Sequence, residues 1–350
     1  MQIDYTPKLS FDDVLLEPQF TNITSRSEVS LLRTFKLPHT NKTWGPVIPV
    51  CAANMSTVGT ISMAKELIKL QCVTALHKHY PVDRLVSFWK YLEENNAEDY
   101  VFYSIGMIEN DMVKLKEFKN LFGRVPRHWN FDVANGYQKS FYDTISRLRD
   151  TYPDINLMAG NIATEEGAYK IIKSGATFAK CGIASGSACE TAIVAATGVP
   201  QLSALLESAI AAKEAGGHLI SDGGITTPAC AAKAFAGGSG MIMIGGMFAG
   251  HDQCESEFIY DEEGNKTGVE FYGMASRKAM EKYNNGVANY RSSEGKVVTV
   301  KYRGAIENTL LHLLGGIRSA CTYSNSRNLI ELHQNAKFIT VRQTHNKVFG

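Results

Sequence analysis

The sequence lacks the features that mark secreted, membrane or nucleic-acid-binding proteins. No apolar run reaches the ~18 residues that suggest a membrane span, and the opening segment MQIDYTPKLS has no apolar signal region. The formal net charge is only +1, and neither half of the chain is a basic block, whereas nucleic-acid binding needs a clustered positive face. We therefore expect a soluble cytoplasmic protein whose partners include neither a membrane nor a nucleic acid.

Cysteine is present, but not in a pattern that indicates disulfides or zinc. The seven cysteines are an odd number and contain no CxxC pair, so we expect most of them to be buried thiols. Apolar residues make up 44% of the chain and charged residues 20%, as in ordinary globular proteins. The length of 350 residues suits a single (β/α)8 barrel domain spanning residues 1–350.

Eight short apolar runs rich in β-branched residues recur along the chain. They begin near residues 46, 72, 100, 128, 155, 178, 218 and 241. Helical patterns fill the gaps: Thr164 is placed to cap a helix that Gly175 ends, and Thr227 with Pro228 fits the start of another. Strands alternating with helices favour parallel βαβ units. Eight units predict a closed (β/α)8 (TIM) barrel, because the alternative, a six-stranded doubly wound sheet, leaves two units unexplained.

Glycine and polar residues follow nearly every predicted strand. In such barrels the active site is built from the loops at the carboxyl ends of the strands. The last two strands end in Asp222-Gly223-Gly224 and Gly245-Gly246. Glycine lets backbone N–H groups approach an anion closely, so these turns predict a phosphate site; the alternative is that they are plain tight turns.

The long gap after the sixth strand contains GIASGSACETA, residues 182–192. Small residues precede Cys189, so its thiol is expected on a mobile loop at the barrel mouth, where a thiolate is a strong nucleophile. Thr191 is placed to relay a proton. The alternative is that Cys189 is one more apolar thiol. A C-terminal extension, at about residues 250–300, contains an expected exposed hairpin tip at 261–266 and the segment NYRSSEGK (289–296), which is either a flap over the mouth or a solvated loop.

Many separate motifs together resemble one family. They include LSFDDVLLEP (9–18), AANMSTVGT (52–60), HKHY (77–80), DVANGY (132–137), SDGGITTP (221–228), GGMFAGH (245–251), YRSSEGK (290–296) and LGGIRSACTY (314–323). Their order and spacing are similar to those of GMP reductases, in the IMP dehydrogenase/GMP reductase family, from about residue 9 to the C-terminus. IMP dehydrogenases usually carry inserted regulatory modules and a longer flap with an Arg-Tyr pair. Here no gap holds such modules, and the short flap has Tyr290-Arg291 in the opposite order.

The resemblance implies an NADPH-dependent reductive deamination of GMP to IMP and ammonia, in purine salvage. Cys189 would attack C2 of the purine, Thr191 and Glu294 would relay protons, and the covalent thioimidate would accept a hydride. The implied substrate-binding residues are Asp222, Gly223, Gly224, Gly245, Gly246, Gly273, Met274, Arg291, Ser292, Ser293 and Gly295. The implied cofactor-binding residues are Lys78, Asp132, Val133 and Ala134, with Ser25 and Arg26 reaching the cofactor from a neighbouring subunit of a homotetramer. Potassium would bind carbonyls of Ala184, Gly186 and Cys189.

The cysteine loop departs from the family pattern G-P-G-S-x-C-T-T-R. Residues 184–192 read ASGSACETA, which keeps the nucleophile and the second threonine but replaces the Gly-Pro pair, the first threonine and the arginine. Ala275 stands where the reductases usually have serine near the base. Two alternatives therefore stay open: a reductase for another or a modified purine nucleotide, and a catalytically silent nucleotide-binding barrel. Retention of Cys189, Thr191 and Glu294 argues against the silent barrel.

Overall fold

The computed structural model describes residues 3–283 and 286–342. Short strands alternate with helices along most of this length. The strands, in chain order, are β1 (Val14–Leu16), β2 (Arg33–Lys36), β3 (Thr43–Val47), β4 (Val50–Ala52), β5 (Val73–Ala75), β6 (Val101–Ile105), β7 (His128–Asp132), β8 (Asn156–Ile162), β9 (Phe178–Cys181), β10 (His218–Asp222), β11 (Met241–Ile244), β12 (Phe258–Tyr260), β13 (Lys266–Tyr272), β14 (Val297–Lys301) and β15 (Phe338–Thr340). The α-helices are α1 (Ile61–Lys69), α2 (Val82–Glu94), α3 (Glu109–Phe122), α4 (Lys139–Thr151), α5 (Glu165–Lys173), α6 (Thr191–Val194), α7 (Gln201–Glu214), α8 (Pro228–Ala236), α9 (Arg277–Tyr283), α10 (Ile306–Tyr323) and α11 (Leu329–Asn335).

Strands β4 to β11 form one closed parallel barrel, in which β11 pairs with β4 to complete the ring. The predicted (β/α)8 fold is therefore confirmed. Seven of the barrel strands begin within one residue of the predicted positions. The first begins at Val50 rather than near residue 46, because the apolar run there belongs to two strands. Pro49 separates them: it has no N–H for a ladder hydrogen bond, and β3 before it pairs with β2 instead.

The helix boundaries follow from local capping. The Thr164 hydroxyl accepts the N–H of Gly167 at 3.3 Å and so caps α5, while Gly175 follows the helix end with a φ of +126° that glycine adopts readily. Thr227 caps α8 in the same way, with Pro228 in the first turn. These helix starts agree with the predicted ones.

An aromatic plug closes the amino-terminal end of the barrel. Phe35 and Trp44, on the β2–β3 hairpin, stack with ring centroids 5.4 Å apart, and both meet the ring of Phe178 edge-on. All three rings are buried. Since these side chains fill this end in the described part of the chain, we expect ligands to enter at the opposite end, where the carboxyl ends of the strands lie.

The chain after the barrel forms an extension over that open end. Strands β12, β13 and β14 make an antiparallel sheet, and residues 261–265 are the turn of its first hairpin, closed by the Asp261 N–H donating to the Asn265 carbonyl at 3.0 Å. Helices α10 and α11 then lead back to the barrel, where β15 pairs antiparallel with β1. In the described ranges, every helix is too short or too polar to cross a membrane.

Candidate active site

The loop between β9 and α7 carries Cys189 at the barrel mouth. All seven cysteines are free thiols within the described residues; six are buried, and the Cys189 side chain is the partly exposed one. A tight turn presents it, in which the Cys189 N–H donates to the Gly186 carbonyl at 3.0 Å. The thiol is therefore both accessible and held in a defined place, as a nucleophile requires.

A line of hydrogen bonds leads away from this thiol. The Cys189 thiol donates to the Thr191 hydroxyl oxygen, with Sγ and Oγ1 3.3 Å apart. The Thr191 hydroxyl in turn donates to the Glu294 carboxylate, with Oγ1 and Oε2 2.8 Å apart. A proton can thus move between the thiol and a carboxylate through one hydroxyl, which is the arrangement that general acid–base catalysis needs.

Glu294 lies within hydrogen-bond distance of Thr191 because residues 294–296 dock on the cysteine loop. The Glu190 N–H donates to the Glu294 carbonyl at 2.7 Å, and the Lys296 N–H donates to the Ala188 carbonyl at 3.1 Å. These bonds flank a β-bridge between Cys189 and Gly295. A β-carbon at Gly295 would lie 2.9 Å from the Ser276 nitrogen and 3.3 Å from the Ala188 carbonyl, so glycine lets the segment fit between the cysteine loop and Ser276. The segment is a flap packed on the cysteine loop.

Glycines at the ends of β10 and β11 border the other side of the same loop. A β-carbon at Gly223 would lie 2.5 Å from Ser185 Oγ and 3.1 Å from the Gly186 nitrogen, and one at Gly246 would collide with Ser187 Oγ. Backbone amides and the Ser187 hydroxyl therefore lie in one small region, a combination that suits a phosphate group. Sequence reasoning missed Ser185 and Ser187; the alternating serines of ASGSAC were the available signal.

The flanking glycines face packed side chains. A β-carbon at Gly224 would lie 3.4 Å from the Phe11 ring, and one at Gly245 would lie 2.8 Å from Met55 Sδ. Because both residues are glycines, no side chain of their own covers the backbone of the two turns. The four predicted phosphate-site glycines thus sit at the mouth of the barrel, with Gly223 and Gly246 nearest the cysteine loop.

Asp222, at the end of β10, lies between the loop and the barrel interior. Its Oδ2 accepts a hydrogen bond from Asn161 Nδ2 at 2.8 Å, and Asn161 also donates to the Gly182 carbonyl at 2.9 Å. Burial raises the pKa of Asp222 above its usual value, although Lys180 and Asn161 oppose the rise. Asn161 was missed as a site residue, although it lies in the strand-end motif AGN.

Comparison with known proteins identifies the family of the chain. The model of the IMP dehydrogenase / GMP reductase domain matches residues 8–347. The chain belongs to the IMP dehydrogenase/GMP reductase family. The resemblance in the motifs is thereby confirmed, and the protein is an enzyme of this oxidoreductase family.

Several relatives match the chain over its full length. GMP reductase of Edwardsiella ictaluri (strain 93-146) is 44% identical over 350 residues, which cover 100% of this chain and 99% of that protein. GMP reductase 1 of Rattus norvegicus is 44% identical over 351 residues, with the same coverage. GMP reductase 1 of Homo sapiens is 43% identical over 351 residues, again covering 100% and 99%.

An ion pair between a buried lysine and a partly exposed aspartate joins β9 to β7. Lys180 is fully buried in the middle of β9 and forms an ion pair and hydrogen bond with Asp132 at the end of β7. Burial pushes the pKa of Asp132 up, but the Lys180 charge and hydrogen bond outweigh it, so that pKa lies below its usual value. Lys180 was not predicted, although a charged residue within the apolar run FAKCGI was a signal.

Replacing Lys180 with methionine is expected to destabilise the protein by about 3 kcal/mol, because removing one partner leaves a poorly solvated charge. This is the lower end of the usual range, since the Asp132 side chain is 38% exposed. Urea unfolding would measure the loss. The control is Lys170→Met, which breaks a surface pair with Glu166 and should leave the free energy of unfolding nearly unchanged, because solvent screens exposed pairs. Equal losses in the two variants would contradict a structural role for the buried pair.

The remaining predicted cofactor residues fall into two places. Lys78 forms an ion pair with Asp111, with Nζ and Oδ2 3.0 Å apart, and a β-carbon at Gly106 would lie 2.8 Å from the same Nζ and 3.5 Å from the Asp132 carbonyl oxygen. The structure thus brings Lys78 and Asp132 into one neighbourhood, and Val133 and Ala134 follow Asp132 directly.

Ser25 and Arg26 lie apart from this group. They begin a short 3-10 turn that packs on α10, where Arg26 Nε donates to Ser319 Oγ at 3.2 Å. One chain does not bring them together with Lys78. Their predicted role depends on a neighbouring subunit.

The predicted base-binding residues lie either in the flap segment or in the turn that follows β13. Met274 Sδ accepts the Ser56 N–H at 3.4 Å. The Ser293 hydroxyl is within reach of the carbonyls of Ala275, at 3.3 Å, and Gly295, at 3.1 Å. Gly273 is buried, and a β-carbon there would lie 2.7 Å from the Ala188 carbonyl. Arg291 and Ser292 are exposed.

Two histidines of the family motif HKHY are uncharged in the folded protein. His77 is buried, and its Nδ1 lies 3.2 Å from the backbone nitrogen of His79, whose N–H it accepts. Burial lowers the pKa of His77 to about 3, and burial with the Lys78 charge lowers that of His79 to about 4. The His79 ring stacks on Tyr283, with centroids 3.7 Å apart. This loop is therefore packed against α9, which leads into the flap.

These histidines predict a loss of stability in mild acid. Since their folded pKa values lie below the unfolded value of about 6.5, the unfolded state binds more protons, so their contribution is complete above that pH and is lost as pH falls toward 4. The slope is about 1.4 kcal/mol per pH unit for the buried His77 in this window, and it is smaller for His79, which is only partly buried. Thermal unfolding between pH 7.5 and 5 should show His77→Gln losing less melting temperature than the wild type. The same pH dependence of the melting temperature in the two proteins would contradict a lowered pKa of His77.

Proposed function

We propose that this protein is a GMP reductase, which converts GMP to IMP and ammonia at the expense of NADPH. The observation that carries the proposal is the hydrogen-bonded line from Cys189 through Thr191 to Glu294, set beside a glycine-lined anion site. The names of the relatives, which match the whole chain at 42–44% identity, support the same activity.

In the proposed reaction, Cys189 forms a bond from Sγ to C2 of the purine. Its proton passes to Glu294 through the Thr191 hydroxyl. The C2–N bond to the exocyclic amine then breaks, and the same relay returns a proton to that nitrogen, so that ammonia leaves. The resulting thioimidate would accept a hydride at C2. The S–C2 bond would then break with its electron pair remaining on sulfur, so that IMP is released and the Cys189 thiolate takes up one proton from solvent. The covalent adduct divides one difficult displacement into easier steps.

The substrate would be held by three groups of residues. Amides at Gly223, Gly224, Gly245 and Gly246 would bind the phosphate. Asp222 would bind the ribose hydroxyls, because Asn161 occupies Oδ2 and leaves Oδ1 to accept from the sugar. The base would lie among the flap residues that the resemblance implies, namely Gly273, Met274, Arg291, Ser292, Ser293 and Gly295.

The residues at the mouth fit a dinucleotide. Lys78 is a partly exposed cation for an anionic or carbonyl group, and Asp132 is an acceptor for hydroxyl or amide donors. Together with Val133 and Ala134, they would hold NADPH, which supplies the hydride when bound. In the homotetramer that we propose, Ser25 and Arg26 would complete the site from the neighbouring subunit.

The potassium site that the resemblance implies would lie on the cysteine loop. Its proposed ligands are the carbonyls of Ala184, Gly186 and Cys189. The Gly186 carbonyl already accepts the Cys189 N–H, but a carbonyl oxygen has a second lone pair for a cation. We propose that the ion would stabilise the loop that presents the thiol.

A second candidate is a reductase for another or a modified purine nucleotide. Ala275 favours it, because no hydroxyl is present at this position to recognise the base. The Ala275 carbonyl accepts the Glu294 N–H at 3.0 Å, so the position lies directly behind the proposed acid. A site built on hydrogen bonds discriminates strongly against analogues that lack the matching group. The absence of the hydroxyl at position 275 would therefore relax the selectivity for the base.

The proposal is tested by following NADPH oxidation on addition of GMP, with ammonia measured in parallel. We expect one ammonia released for each NADPH consumed, and no consumption without nucleotide. GMP binding without turnover would refute the proposal; a screen of purine nucleotides would then separate an altered substrate from a silent nucleotide-binding barrel.

A further inference from the structure

A side chain that the family pattern lacks connects the cysteine loop to the end of β10. We infer that Ser185 is a positioning residue, whose hydroxyl bond to the Asp222 backbone sets the alignment of Cys189 with the bound nucleotide. The tie between the two segments is a property of the fold. Only its consequence for turnover rests on the proposed function.

The tie is a hydrogen bond within a crowded contact. The Ser185 hydroxyl donates to the Asp222 carbonyl, with the two oxygens 3.2 Å apart. Around it, a β-carbon would lie 3.0 Å from Ser185 Oγ at Gly182 and 2.5 Å from it at Gly223. Glycine on both sides thus lets the backbones of the two segments approach the hydroxyl closely.

The backbone of Ala184, the residue before Ser185, has a conformation that a neighbouring contact must hold. Ala184 has a left-handed backbone with φ of +66°, a conformation that alanine adopts rarely and that persists only when the surroundings enforce it. Glycine occupies this position in the family pattern and proline the next, where the ring would restrict the backbone. Here neither is present. In this chain the hydrogen bond of the Ser185 hydroxyl restricts the loop backbone, as the proline ring would in the family pattern.

A second contact closes the base of the loop on the opposite side. The Ala184 methyl lies where it would be 2.6 Å from a β-carbon at Gly198, so the start and the end of the loop pack directly together. Asn161 fixes the Gly182 carbonyl from β8. The loop is thus held at its base, and Ser185 is the point at which it is joined to β10.

The joined position is close to the thiol along the chain. Gly186 follows Ser185 directly, and its carbonyl accepts the Cys189 N–H. A shift of Ser185 therefore moves the turn that presents the thiol relative to Asp222, the proposed ribose ligand. Small misplacements of reacting groups reduce turnover more than they reduce binding.

The experiment compares Ser185→Ala, which removes the bond, with Ser185→Thr, which keeps a hydroxyl. The matched control is Thr197→Ala, since that hydroxyl lies on the same loop and donates only locally, to the Ala195 carbonyl at 3.0 Å. Three quantities are measured: kcat and KM for GMP, the melting temperature, and the rate at which iodoacetamide alkylates Cys189 without nucleotide. Peptide mass spectrometry assigns the alkylation to Cys189, because the other thiols are buried.

We expect Ser185→Ala to lower kcat about tenfold, as the loss of one hydrogen bond implies, with KM changed less than about threefold because the glycine amides remain. The alkylation rate should change at least threefold, and Ser185→Thr should restore both values. Thr197→Ala should resemble the wild type.

Unchanged kcat and alkylation in Ser185→Ala would overturn the inference, whether or not the melting temperature falls. The alkylation measurement needs no turnover. If the wild type does not reduce GMP but Ser185→Ala still changes the alkylation rate and Ser185→Thr restores it, the proposed function fails while the positioning role stands.

Discussion

Replacing Cys189 with alanine is expected to lower kcat for GMP reduction by about a thousandfold or more, because a covalent route is removed entirely and not merely weakened. No other thiol can substitute, since the six remaining cysteines are buried. NADPH oxidation measures the loss. Denaturing mass spectrometry of the wild type during turnover should detect a nucleotide adduct on the Cys189 peptide, and the variant should show none.

Binding of GMP should survive this substitution. The proposed ribose contact comes from Asp222, and the proposed phosphate contacts come from the glycines after β10 and β11. Neither includes the cysteine loop, so we expect the dissociation constant from calorimetry to change by less than about fivefold. The matched control is Cys72→Ala, which removes a buried thiol at the start of β5, the end of the barrel opposite the mouth. Cys189→Ala that retained more than a tenth of the wild-type kcat would refute nucleophilic catalysis by this residue.

The barrel could be predicted from the sequence because each of its units is local. A strand followed by a helix repeats its own signals, such as the Thr164 cap and the Thr227-Pro228 start, and closure follows from counting the units. The first strand was misplaced because apolar composition does not distinguish two consecutive strands from one. Only Pro49 marked the break.

The site was predictable only where its residues are adjacent in sequence or where the family supplied them. Cys189 and Thr191 are two positions apart, whereas Glu294 lies 103 residues from Thr191. The pairs of Asn161 with Asp222, 61 residues apart, and Lys180 with Asp132, 48 apart, each join two barrel strands that have one strand between them, because alternate strands of a closed barrel bring their side chains together. No pattern in a single sequence states which distant polar residues will meet there.

The two residues behind the thiol should behave as one unit. Thr191→Val removes the hydroxyl that links Sγ to the carboxylate, and Glu294→Gln keeps the shape of the side chain but removes its ability to take up a proton. Each change alone is expected to lower kcat by about a hundredfold to a thousandfold, the usual contribution of a positioned acid or base. The measurement is the rate of ammonia release at saturating GMP and NADPH.

The double variant makes this prediction sharper. If Thr191 only passes protons to and from Glu294, then losing either one breaks the same path, and Thr191→Val with Glu294→Gln together should be no slower than the worse single variant by more than about threefold. Glu281→Gln is the control, since it neutralises an exposed carboxylate on α9 and should change kcat less than about threefold. Multiplicative losses in the double variant would mean that the two residues act on separate steps. The 2.8 Å bond between them would then hold the flap in place but would not form part of a proton path.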